Sequence, residues 1–218
     1  MGRIVLCHIC NIQGDFMKLL INNQLIEFEN KESSIDLIFK NIDGVSSEND
    51  KALSHLVVDG IEVYNDYEDY ISEHMTSIEV IEAVIKPVKE LVMDLFLTAE
   101  DYLKRALPEL EKLTGEFYQG PSNISWEKFN DLLGGIEWIH NLIVAIDNGS
   151  YQPLNWDQYL IIMTSVEEEL KNLEDAVSNN DNILLADILQ YEIFPQLEEL
   201  KQVIGITIDQ EGKRDHVN

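Results

Sequence analysis

The chain changes its hydrophobic rhythm once, and that change organises it. Up to Ile85, apolar residues come in short runs separated by turn residues. Lys18-Leu19-Leu20-Ile21, Asn22-Asn23 and Gln24-Leu25-Ile26-Glu27-Phe28 predict a β-hairpin, because Asn tolerates the positive φ of a tight turn. Ser33 or Ser34 can cap a short helix over Ile35, Leu37, Ile38, Phe39 and Ile42, with Gly44 as its stop. Val45 to Lys51 is expected to be a polar loop. His55 to Val58, Asp59-Gly60 and Ile61 to Val63 predict a second hairpin. Tyr67 to His74 predicts a helical turn or two, and Ser77 to Ile85 a further strand.

Beyond Lys86-Pro87 the period lengthens. Val88, Leu91, Val92, Leu95, Phe96, Ala99, Tyr102, Leu103, Ala106, Leu107, Leu110 and Leu113 recur at steps of three and four, the mark of an amphipathic helix. Pro87 suits its first turn, and Pro108 predicts a kink or break. A second helix is expected from a Ser125 cap to Asn148-Gly149, with Gly134-Gly135 inside it. Each interior glycine costs a helix about 1 kcal/mol relative to alanine. Close approach of a neighbouring helix would compensate, and a ligand in that gap is the sharper alternative. A third helix is expected after an Asn155 cap with Gln158 at the capping-box position. A fourth should follow Asn180-Asp181, kink at Pro195 and stop at Gly205. Residues 206–218 read as a frayed polar tail. Short connections favour antiparallel neighbours, hence an up-down four-helix bundle.

The order of the first module, β-β-α-β-short β-short helix-β, resembles the ubiquitin-like β-grasp fold over residues 17–86. The likeness is closest at Leu56-Val57-Val58 running into Asp59-Gly60, at Asp69-Tyr70-Ile71, and along the last strand from Ile78 to Ile85. That strand continues into a helix and has no free Gly-Gly end, so the resemblance implies a binding platform and not conjugation chemistry. The expected fold class is α+β: a β-grasp domain at 17–86 followed by an antiparallel four-helix bundle at 87–205.

Charge narrows the partners. Fifteen basic residues face 41 acidic ones, for a net charge of −26. Phosphate backbones and anionic membrane surfaces would be repelled, so neither nucleic acid nor membrane is an expected partner. No apolar run reaches the ~18 residues of a membrane span. Such charge ordinarily keeps a helical surface soluble. Both cysteines, Cys7 and Cys10, lie in the first ten residues, and with His8 they fall short of the four ligands of a closed zinc site. Gln13-Gly14-Asp15 back-translates to a purine-rich ribosome-binding sequence just before Met17. Met17 is therefore the expected natural start and residues 1–16 an upstream leader. A chain from Met17 would lack cysteine, as suits a bacterial cytoplasmic protein.

Candidate chemistry is sparse. Glu137-x-x-His140 has di-iron spacing on a helix, but a second such motif is missing, and His55, His74 and His216 lie outside the four helices. The pair reads as a boundary pair on a helix surface. Glu167-Glu168-Glu169, Glu174-Asp175 and Glu198-Glu199 read as an outer bundle face. No phosphate loop, nucleophile elbow or zinc-protease helix is present. No catalytic residue, cofactor or metal is therefore expected. Aromatic residues gather near helix ends. Tyr118, Trp126, Phe129, Trp138, Tyr151, Trp156 and Tyr159 either plug one end of the bundle or line a groove for a partner helix or peptide. The expected function is a non-enzymatic protein-binding adaptor or small chaperone. The alternative is a ligand-binding or enzymatic bundle with its site near Gly134-Gly135 or at the domain junction, and self-association through the bundle stays open.

Overall fold

The computed structural model describes residues 16–47 and 50–212. Cys7 and Cys10, and the expected leader apart from Phe16, lie outside the described residues. So does the tail from residue 213. The chain divides into two units between Val88 and Lys89. It is α+β, with a five-stranded mixed sheet followed by helices.

In the first unit, β1 (Phe16–Ile21) and β2 (Gln24–Glu29) form the expected hairpin. Asn22 and Asn23 both take positive φ, 46° and 64°, which is the conformation that selects asparagine there. Helix α1 (Ile35–Ser47) follows a short 3-10 turn over Glu32–Ser34. It runs through Gly44, so that glycine is not the stop. Strand β3 (Lys51–Val58) begins four residues before the expected His55. Strand β4 (Ile61–Val63), helix α2 (Tyr67–His74) and strand β5 (Val80–Pro87) complete the unit. The strand order is β2-β1-β5-β3-β4, with β1 and β5 parallel and the other pairs antiparallel. Period-two burial points Met17, Leu19 and Ile21 into one core with Ile81 and Ala83, where Ile35, Ile38 and Ile42 of α1 and Ile71 of α2 meet them.

The second unit is built from long helices. Helix α3 (Val88–Gln119) starts directly after Pro87, which closes β5 instead of opening the helix. It passes unbroken through Pro108. The ring sits on the exposed side of α3, so the carbonyl that loses its N–H partner faces water, while Leu107 and Leu110 hold the helix in the core. Helix α4 (Asn123–Asp147) is capped by Ser122, not Ser125. The two serines form a reciprocal capping box in which each side chain accepts from the other's backbone N–H, at 3.2 and 3.1 Å. Helix α5 (Trp156–Ser178) follows Asn155, whose side chain makes no cap. Its oxygen is taken instead by the Thr207 hydroxyl at 3.0 Å.

The last helical run holds the largest departure from expectation. Helix α6 (Asn182–Ile188) starts after Asn180-Asp181 as expected, is capped by the Asp181 side chain, and passes through a π turn (Leu189–Ile193) into α7 (Phe194–Glu211). The kink expected at Pro195 is replaced by this wider turn. Leu185, Leu189, Ile193 and Leu197 are all buried and lie four apart. Three such steps would drift about 120° around a regular α-helix. The wider turn winds each residue through a smaller angle and keeps all four toward the core. Gly205 does not end the helix, and 206–211 is no frayed tail. Thr207 and Ile208 are buried, and α7 runs on to Glu211. No helix among the described residues is long and apolar enough to cross a membrane.

Candidate functional site

The seven aromatic residues do not form one surface. Phe129, Trp156 and Tyr159 are buried, Trp126 and Tyr151 are half-buried, and Tyr118 and Trp138 are exposed. One cluster is edge-on: Phe117 to Trp126 at 4.9 Å, and Phe129 to each of them at 5.8 Å. The other is stacked, with Tyr159 lying 5.2 Å from Phe96 and 5.1 Å from Trp156. Both are packing arrangements. Tyr159 also meets the Thr207 hydroxyl at 2.6 Å. Burial pushes its phenol well above the ordinary range, against the hydrogen bond to Thr207 and with the charge of Glu211 adding to the rise. Tyr159 therefore stays neutral near physiological pH and serves as a fixed hydroxyl in the core.

Glu137 is exposed, and His140 Nδ1 lies 3.0 Å from Glu167 of α5. Among the described residues, no three His, Cys, Asp or Glu side chains converge as a metal site requires.

Gly135 provides a close approach, but to a side chain. A Cβ on it would lie 1.7 Å from Tyr102 Oη. Tyr102 of α3 rests its ring on the bare backbone of α4, while Gly134 faces open space. Beside Tyr102 lies a cleft of 260 Å³, floored by Leu110, Leu113 and Leu132 and edged by Glu109, Lys128 and Asp131. Two of its charges, Lys128 and Glu109, are paired. Lys128 bonds Glu116, and Lys112 bonds Glu109 at 2.7 Å.

A second concavity, of 620 Å³, opens between α5 and the α6–π turn. Helical spacing places Leu184, Asp187, Ile188 and Tyr191 on one face of that run, and Glu169, Asn172 and Asp175 on the facing side of α5. Ile188 is buried, but Leu184 is 44% exposed and Tyr191 63%. Asn172 donates to Glu169 at 2.9 Å, and Tyr118 donates its hydroxyl to Asp187. That bond pushes the Tyr118 phenol up to about 12, with burial and the Asp187 charge adding. Glu169, Asp175, Asp187 and Glu192 have no cationic partner among the described residues. The groove thus has an apolar floor and a rim of one sign. Of the seven aromatic candidates, only Tyr118 bonds to a groove residue. Leu184 and Tyr191 were not singled out from sequence. The available signal is that both lie off the buried stripe of Leu185, Ile188 and Leu189.

Among curated proteins and solved structures, none matches this chain. The family described as the TP0873 N-terminal domain matches residues 17–87, the sheet unit. The family described as a domain of unknown function, DUF8042, matches residues 94–203, which is half of the chain and covers most of the helical unit. By that match the chain belongs to the DUF8042 family.

Proposed function

We propose that this protein is a non-enzymatic interaction adaptor or small chaperone of the bacterial cytoplasm, in which a β-grasp module precedes an antiparallel four-helix bundle. The strand order β2-β1-β5-β3-β4 with a parallel central pair supports the β-grasp reading. Four long helical runs (α3, α4, α5 and α6–π–α7), joined by short connections, support the bundle. The observation that carries the function is the groove between α5 and α6, where Leu184 and Tyr191 are held open to solvent over a buried apolar floor. Exposed aromatic and aliphatic side chains at a formed concavity are what protein recognition uses.

Immobilised full-length protein tests this. A protein from the source cell should be retained by the parent chain and lost from the Leu184→Ser/Tyr191→Ser variant. Equal retention by both, or none by either, overturns the assignment. A second reading is a small-molecule site at the cleft between α3 and α4, where Tyr102, Lys128 and Asp131 converge. Its 260 Å³ lies just below the ~300 Å³ at which ligand pockets usually begin.

A further inference from the structure

We propose that the groove between α5 and the α6–π turn receives a basic amphipathic segment of the partner protein, with Lys or Arg side chains at Glu169, Asp175, Asp187 and Glu192 and one apolar side chain between Leu184, Ile188 and Tyr191. The inference rests on the adaptor reading and names the chemistry of its partner.

The first ground is complementarity. The rim presents four carboxylates and no cation. The cleft between α3 and α4 in the same unit includes Lys128 in its wall. With Glu109 and Asp131 beside that lysine the cleft is also anionic, but less so than the groove, whose four carboxylates have no lysine among them. Like charges lining one groove repel, and cations of a partner relieve that repulsion. Glu169 and Asp187 are already oriented, by Asn172 and Tyr118 respectively, so they are held for an incoming donor without giving up their charge.

The second ground is the floor. Leu184 and Tyr191 are exposed beside buried Ile188, so a purely hydrophilic cation would leave the apolar part of the groove wet. A segment carrying both kinds of side chain covers both.

The third is the π turn. The Phe194 N–H is used by the Leu189 carbonyl, and Pro195 has no N–H. The N–H that a regular α-helix would offer to the Gln190 carbonyl is thus turned to Leu189, the register shift that makes the turn wider. That turn carries Tyr191 and Glu192 into the groove. Local π turns are frequent at functional sites.

The test titrates full-length protein into a fluorescent Lys/Leu peptide of amphipathic pattern, followed by anisotropy. Companion peptides are Glu/Leu and Lys/Ser. The Lys/Leu peptide should bind and the Glu/Leu peptide should not. The Asp175→Asn/Asp187→Asn/Glu192→Gln variant, which keeps side-chain shape, should bind Lys/Leu about tenfold more weakly. Added salt should weaken the parent complex. A control, Glu111→Gln/Glu127→Gln/Glu137→Gln, removes as much charge from α3 and α4 and should change binding less than about twofold. Tyr191→Ser should weaken the Lys/Leu peptide and leave the weaker Lys/Ser binding alone. Circular dichroism and thermal unfolding establish that each variant is folded. Equal losses in the groove and control variants would mean that only bulk charge is read, and would overturn the proposal. So would absence of Lys/Leu binding to the parent. If the parent binds no basic peptide yet still retains a partner through Leu184 and Tyr191, the basic class falls and the adaptor reading survives. If it does neither, both fall.

Discussion

Two concavities of the helical unit carry the same kinds of residue and use them differently. Between α3 and α4, carboxylates stand beside lysines, and Tyr102 closes over the bare backbone of Gly135. Between α5 and α6, the carboxylates have no cation, and Tyr191 stands in solvent. The first is a braced seam and the second an open groove. A net charge of −26 describes both and distinguishes neither. What separates them is whether lysines stand among the carboxylates and whether the ring already packs within the fold.

The largest break in this comparison comes from filling the seam. Gly135→Ala places a methyl where Tyr102 Oη and Cζ lie, at 1.7 and 2.2 Å, so the ring must swing away. The expected loss is about 2–3 kcal/mol, read by denaturant unfolding. In a Tyr102→Ala background the same substitution should be neutral or stabilising, because only helix propensity remains. An equal loss in both backgrounds would show that the ring does not brace the seam.

Carboxylates offer the next contrast. Glu211 is what the groove acids are not. It accepts from Tyr151 at 2.6 Å, from the Leu154 backbone at 3.0 Å and from Lys89 at 3.1 Å. Burial pushes its carboxyl up, but these bonds outweigh burial and hold it below the ordinary range. Glu211→Gln should cost about 1–2 kcal/mol. The sign of the pH effect follows from the lowered pKa. The contribution is whole above the unfolded value of the carboxyl and is lost as pH falls through the folded one. The parent should therefore lose more stability than Glu211→Gln when acidified across that window. Asp175→Asn, in the groove, should leave Tm within about 2 °C. A parent and variant with parallel acid profiles would remove Glu211 from the account.

The strand module was largely legible because its turns are chemical. Asn22-Asn23 and Asp59-Gly60 all adopt positive φ, which few other residues tolerate, and period two then fixes which side chains are buried. The helix ends were less legible. Gly44 and Gly205 looked like stops, but glycine is tolerated inside a helix whose flanking residues are packed, and Ile42 and Ile208 are buried. Pro108 looked like a break and lies on the exposed side. The groove was the least legible, since it exists only where α5 meets α6 and the π turn sets the phase of Tyr191. Gly134-Gly135 shows the limit most sharply. Sequence treats the two alike, yet a Cβ at Gly134 meets nothing within 4 Å. Gly134→Ala should therefore stabilise the protein by about 1 kcal/mol, opposite in sign to its neighbour. Destabilisation would mean that the space beside it is in use.

The smallest effect bears most directly on what separates seam from groove. Lys128 is the cation in the wall of the seam, and it bonds Glu116. Hydrogen bonding to Lys128, helped by Ser125, holds the Glu116 carboxyl below the ordinary range despite the opposing pull of burial. Both side chains are partly exposed, so Lys128→Gln should move Tm by less than about 2 °C. The substitution leaves Asp131 in the cleft wall and Glu116 beside it without that cation, while Lys112 still bonds Glu109, so the seam's charge pattern moves toward that of the groove. If charge alone made a dock, the variant would acquire a second site and bind the Lys/Leu peptide with doubled stoichiometry. The cleft is less than half the volume of the groove, and Tyr102 already covers Gly135. Stoichiometry should therefore stay at one, with only the slight gain in affinity that one fewer distant cation confers. A second bound peptide would show that an unpaired rim suffices, and that the exposed Leu184 and Tyr191 are incidental to recognition.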